Sequence, residues 1–154
     1  MPQLRHRGKF VYGWSIVRKD NTLYFPPQVL NEYSLEEECD IILFTSSKTS
    51  GGFCITKLTT LKSSKLSKII ENNPDLESED EIGQIIQFKG KSYCHLKLTK
   101  QRSLLLTDKI LNHFKVKNGN QLLIVRGSNI AFDCLLKGPL IEVANKSNKV
   151  IQVY

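Results

Sequence analysis

Side chains able to do chemistry are present in this 154-residue chain, but not in the groupings that catalysis requires. His6, His95 and His113 lie far apart, and none has a partner at a spacing that reads as a triad, a metal site or a phosphate loop. The cysteines, Cys39, Cys54, Cys94 and Cys134, are spread singly with no C-x-x-C pair, so buried reduced thiols are expected. Cys94-His95 is the one Cys/His neighbour pair, and adjacent residues of a strand face opposite ways, which keeps the two from sharing a metal. No catalytic residue, metal or cofactor is expected, and the chain does not read as an enzyme.

Two groupings remain that can hold an anion. Ser47, Lys48, Thr49, Ser50, Gly51 and Gly52 form a small-residue loop whose hydroxyls, lysine and paired glycines can make a backbone nest. The G-x-x-x-x-G-K-[ST] spacing of a nucleotide loop is absent, so a flexible glycine turn is the simpler reading of it. The second grouping is cationic. Arg5, Arg7 and Lys9 sit in an N-terminal arm, Arg18 and Lys19 in one turn, and Lys97, Lys100 and Arg102 around another. Clustered cations are the residues that hold phosphates, although a charged turn is often no more than a solvated loop.

The elements that position these turns come as an internal repeat. Residues 22–47 return at 103–128 with a constant offset of 81, without a gap. The first copy has 12 apolar residues and the second 11, and all 11 fall opposite apolar residues. Random placement would match about five, so the burial pattern has been kept. Each copy starts with an apolar triplet suited to a short strand, Leu23-Tyr24-Phe25 or Leu104-Leu105-Leu106. A short helix follows, started by Pro27 in one copy and by the candidate N-cap Thr107 in the other. A polar turn then leads to a second strand, Ile41 to Phe44 or Leu122 to Val125. One such unit has too little apolar surface to fold alone, and two can close on each other.

The first copy with its lead-in resembles the AbrB/MazE/SpoVT group of swapped-hairpin β proteins. Ile16-Val17-Arg18-Lys19 matches the basic lead-in, Phe25-Pro26 the Ile-Pro step, Tyr33-Ser34-Leu35 the corner and Glu38-Cys39-Asp40 the Gly-Asp turn. In the second copy Leu106-Thr107 stands in place of Ile-Pro, while Asn118-Gly119-Asn120 restores the glycine turn. Members of that group usually bind DNA as interleaved homodimers, so a chain with two copies looks like an intramolecular dimer. The resemblance implies a mainly β fold with short helices, two swapped-hairpin units forming a pseudo-twofold β-barrel, and basic turns that reach duplex DNA. Family members often have basic residues in the short helix. Leu30-Asn31 and Leu111-Asn112 occupy those positions here, which leaves DNA contact to the turns and the arm.

Outside the repeat, residues 60–72 are expected to form a helix of about three turns with Leu66, Ile69 and Ile70 on one face. The acidic stretch Glu77 to Glu81 marks the boundary between a first half, 1–77, and a second, 78–154. Net charges of +1 and +6 for these halves make up the total of +7, a balance that suits an acidic partner and places more of the attraction in the second half. Trp14, the single tryptophan, is expected to pack. The segment from Leu140 begins as a helix and ends in Val150 to Tyr154, an edge strand able to seed homo-oligomers. No apolar run is long enough to cross a bilayer, and charge rather than an apolar core follows Met1 to Arg5, so a cytoplasmic protein is expected. The function expected is a double-stranded DNA-binding transcriptional regulator of the AbrB-like type. The alternatives are an antitoxin-like protein-binding module and a ligand-sensing or structural β-barrel with its site at the Ser47 to Gly52 loop.

Overall fold

The computed structural model describes residues 4–6, 9–147 and 150–154. The first copy and its lead-in contribute β1 (Leu4–His6), β2 (Lys9–Ile16), β3 (Thr22–Leu23), α1 (Pro27–Glu32), β4 (Asp40–Thr45) and β5 (Phe53–Lys57). Two short helices, α2 (Leu58–Lys62) and α3 (Lys68–Asn72), and 3-10 turns at Pro74–Glu77 and Glu79–Glu81 follow. The second copy contributes β6 (Ile85–Phe88), β7 (Lys91–Lys97), β8 (Leu104–Leu105), α4 (Asp108–Phe114), β9 (Gln121–Arg126) and β10 (Ala131–Leu135), and α5 (Pro139–Lys146) ends the helical part.

The protein is mainly β, dominated by an antiparallel eight-stranded sheet in the order β1-β2-β9-β10-β5-β4-β7-β6. Replacing each strand by its counterpart in the other copy reverses this order onto itself. Strands of the two copies therefore alternate in pairs, with β2 of the first copy on β9 of the second and β7 of the second on β4 of the first. A separate two-stranded ladder pairs β3 with β8, and its partners Leu23 and Leu104 are themselves 81 residues apart. An approximate twofold thus passes through that ladder.

The main core follows the same rule. Phe25 and Leu106, Val29 and Ile110, Tyr33 and Phe114, Leu35 and Val116, Ile41 and Leu122, and Leu43 and Ile124 are all buried in one cluster, each pair at the repeat offset. At about 1.5–3 kcal/mol for each large side chain removed from water, this shared cluster is the dominant favourable contribution to folding. The opposite face of the sheet has two smaller patches. Trp14, Val11, Leu123 and Val125 pack with α5 and Ile151 on one wing. Ile42 and Tyr93 pack with α2, α3 and Leu76 on the other.

Local signals explain the element ends. Thr107 accepts a hydrogen bond from the Ile110 N–H at 3.2 Å and caps α4, and Pro27 opens α1. Lys89 and Gly90, both at positive φ, close the β6–β7 hairpin in the manner of a type I′ turn. Trp14 N–H and Ile16 N–H bond to Gln152 and Tyr154 carbonyls at 2.8 and 3.0 Å, so the C-terminal residues lie along β2. Gly13 sits at the register shift there, and a Cβ on it would lie 2.9 Å from the Tyr154 ring.

Two expectations are corrected. The described strands form no closed barrel, because β1 and β6 remain the open ends of the sheet. The apolar triplets that would bridge them pair over two residues each, since Pro26 and Pro27 offer no N–H to a ladder and Thr107 starts a helix. Helices α1 and α4 fill that side of the core instead. The three-turn helix over 60–72 is broken into α2 and α3. Ser64 Oγ donates to the Leu61 carbonyl at 2.7 Å and accepts from Leu66 N–H at 3.1 Å, local bonds that compete with helix continuation. Leu66 is 52% exposed as a result, while Leu61 and Ile70 are buried.

Candidate nucleic-acid interface

The alternation of strands from the two copies brings each basic turn beside a turn of the other copy. Gly119 N–H donates to the Val17 carbonyl at 2.7 Å and Val17 N–H to Asn120 at 2.9 Å, so residues 115–120 lie against residues 17–21. Asn118 Nδ2 reaches both the Lys19 carbonyl and the Asn21 side chain. Arg18, Lys19 and Lys117 are exposed on these two joined turns. The Arg18 guanidinium lies over the Tyr24 ring at 4.1 Å, a cation–π contact that orients it. Asp20 is the acidic neighbour, and its hydrogen bond from Thr22 holds its carboxyl below the usual range.

The counterpart turn carries Lys97, Lys100 and Arg102, with acidic residues beside it. Leu98 N–H donates to the Cys39 carbonyl at 3.0 Å and Glu38 N–H to Thr99 at 3.2 Å, which sets Glu36, Glu37 and Glu38 beside Lys100 and Arg102. Lys97 Nζ lies 3.0 Å from Glu79 and 3.5 Å from Asp40, and these carboxylates, Glu79 foremost, raise its pKa. Arg102 donates to Asn31 Oδ1 at 3.3 Å and to the Leu35 carbonyl at 3.4 Å, closing the end of α1. Lys100 is exposed and has no ion-pair partner among the described residues. Of the arm, Arg5 lies on β1 and Lys9 on β2, and Arg7 is outside the described residues.

Sequence reasoning missed Lys117. The repeat places Lys117 opposite Glu36, but only the hydrogen bonds between the two turns show that it joins Arg18 and Lys19.

The loop named as an anion site bends back on itself. Ser50 and Gly51 N–H groups both donate to the Ser47 carbonyl, at 3.2 and 3.0 Å, so those N–H groups are spent inside the loop and do not form a nest. Leu136 and Lys137 N–H groups donate to the Ser50 carbonyl at 3.1 and 2.9 Å, tying the loop to the segment after β10. Gly52, at φ +66°, has no room for a side chain, since a Cβ would come 2.0 Å from the Cys134 carbonyl oxygen.

The remaining candidate groups are structural. Cys94 faces the main core, and His95, buried, turns the other way to meet Asp40 at 2.8 Å and the Ser78 carbonyl at 3.2 Å. Burial, and then the Asp133 carboxylate 3.0 Å away, pushes the Cys54 thiol far above its usual range, which makes it a poor nucleophile. Among the described residues no three His, Cys, Asp or Glu side chains gather to hold a metal, and no helix is long and apolar enough to cross a membrane.

Comparison with protein-family models, with curated proteins and with solved structures found no match to the chain.

Proposed function

We propose that this chain is a double-stranded DNA-binding regulator of the AbrB-like type, with two swapped-hairpin units fused in one chain. It holds duplex phosphates chiefly through Arg18, Lys19 and Lys117. The observation that carries the reading is the joined turn pair 17–21 and 115–120, where three cations from two distant segments meet without an ion-pair partner among the described residues. The exchange of strands about the β3–β8 ladder supports the family reading, because it is the arrangement that a fused pair of interleaved hairpins would adopt. An antitoxin-like module would present an extended C-terminal segment to its partner. Here α5 and residues 151–154 lie against the sheet.

Fluorescence anisotropy of a random-sequence duplex, titrated with the protein across a salt series, tests this. With three phosphate contacts, affinity should fall about 40-fold between about 50 and 200 mM salt. Undetectable binding at the lower salt, or affinity that does not fall as salt rises, would overturn the proposal.

A further inference from the structure

Beneath the Ser47 to Gly52 loop lies a cavity of about 660 Å³. Its walls bring together Lys48 from the loop, Lys115 and His113 from the end of α4, and Lys137 from the segment after β10, with Ser46 and Ser47 also lining it. No carboxylate lines it, and none of these lysines has an ion-pair partner among the described residues. In a chain with 15 acidic residues, a concave surface that gathers three lysines from three segments and excludes every Asp and Glu is a positive field with no counter-charge of its own. The floor is fixed. His113 Nε2 is 2.7 Å from the buried Ser92 Oγ, which also accepts from Gln87 Nε2 at 2.8 Å.

A second cavity, of about 800 Å³, shares the walls Thr45, Ser46, Ser47 and Lys137 with the first. Its far side is mainly apolar, built from Phe44, Val125, Leu135 and Leu140, with Lys91 and Asp133 also in the wall, the Asp133 carboxylate accepting from the Cys54 thiol at 3.0 Å. The loop thus separates a cationic chamber without a carboxylate from a mainly apolar one whose single carboxylate is Asp133. Both volumes fall within the range of small-molecule sites.

We propose that this double chamber binds a small phosphate monoester with an apolar or aromatic body, its phosphate among Lys48, Lys115 and Lys137 and its body against Phe44 and Leu140. This goes beyond duplex binding and uses none of Arg18, Lys19 and Lys117.

Isothermal titration calorimetry of the full chain with phenyl phosphate, inorganic phosphate and phenol tests it. Phenyl phosphate should bind saturably and about 10-fold more tightly than inorganic phosphate, because the ring removes apolar surface from water. Phenol should bind far more weakly than either. The double variant Lys48→Ala/Lys137→Ala should lose about 10-fold or more in phenyl phosphate affinity with an unchanged melting temperature. Lys89→Ala, on the β6–β7 hairpin outside this cavity, should bind as the parent does. The proposal fails if neither phosphate saturates by about 10 mM, if phenol binds as well as phenyl phosphate, or if the double variant keeps full affinity. Arg18→Ala/Lys19→Ala/Lys117→Ala should leave phenyl phosphate binding intact, so failure here and failure of the duplex reading are told apart.

Discussion

The two turn pairs, 17–21 with 115–120 and 98–102 with 34–39, have one backbone and opposite charge. Asn21 and Arg102, Ser34 and Lys115, and Glu38 and Gly119 all adopt positive φ, each pair 81 residues apart. Their hydrogen bonds repeat as well. Arg18 N–H to the Thr22 carbonyl matches Thr99 N–H to Ser103, and Leu35 N–H to Leu30 matches Val116 N–H to Leu111. On this common frame the first pair presents Arg18, Lys19, Lys115 and Lys117 against Asp20, and the second presents Lys100 and Arg102 against Glu36, Glu37 and Glu38. The core and the left-handed positions constrain the chain in both copies, whereas an exposed side chain costs little to change. The surface is therefore where the two copies diverge, and an approximate twofold in the backbone does not carry over to the charge.

The most forceful way to break the comparison is through the shared core. Leu23 and Leu104 face each other on the ladder, both fully buried. Leu23→Ala and Leu104→Ala should each destabilise the protein by about 3 kcal/mol, within the usual range for a buried Leu→Ala change. Because the two side chains share one site, the double variant should cost less than the separate losses added together. Urea unfolding of the three variants measures this. A large loss for one leucine and almost none for the other would mean that the copies do not support each other as equals.

The charge difference is tested next. Removing three cations as Arg18→Ala/Lys19→Ala/Lys117→Ala should weaken duplex binding about 30-fold at about 50 mM salt and reduce the salt slope by about 2–3. Lys100→Ala, on the balanced turn, should change affinity less than about 2-fold. Equal losses from both turns would restore a symmetric mode of binding. Anisotropy titrations at matched salt, with circular dichroism to confirm folding, distinguish the outcomes.

These cations also show which features of the fold are legible in the sequence. The repeat, the α4 cap at Thr107 and the helix after Gly138 all follow from sequence pattern, and the structure has each of them, whereas the edge strand expected over Val150 to Tyr154 is reduced to one bridge between Val153 and Trp14. Arg18 and Lys19 were legible as a basic turn. The neutralisation of Lys97 was not, because Asp40 and Glu79 come to it from another strand and from a 3-10 turn. Arg102 reads as a free cation until α1 is brought beside it and Asn31 and the Leu35 carbonyl accept its hydrogen bonds. The broken helix over 60–72 was hidden for a different reason. Apolar spacing registers Leu66, Ile69 and Ile70, but not the Ser64 hydroxyl that takes the Leu61 carbonyl.

The short helices differ in how they begin, and this predicts a smaller contrast. Thr107→Ala removes the side-chain acceptor of the Ile110 N–H and should cost about 1 kcal/mol. In α1 there is no side-chain cap to lose. Pro27→Ala should act only through the greater freedom of the unfolded chain and cost about 0.5 kcal/mol. Thermal unfolding of both variants orders them, and the reverse order would mean that Pro27 fixes the entry to α1 in some way beyond its φ.

The smallest effect bears on the shared backbone itself. Glu38 is at φ +57° where its counterpart Gly119 is at φ +88°, so one copy places a side chain in a region that the other reserves for glycine. The left-handed conformation costs a residue with a Cβ about 1–2 kcal/mol. The greater freedom of glycine in the unfolded chain returns about 0.5–1 kcal/mol of that. Glu38→Gly should therefore stabilise the protein by about 0.5 kcal/mol, keeping the Glu38 N–H bond to Thr99. Gly119→Ala has open space for its methyl group and should lose about 0.5 kcal/mol, the cost at positive φ less the freedom that glycine has in the unfolded chain. Urea midpoints moving in opposite directions for the two variants would show that both turns hold one left-handed geometry. A destabilising Glu38→Gly would show instead that this acidic turn depends on its side chain, and that the copies have diverged in structure as well as in charge.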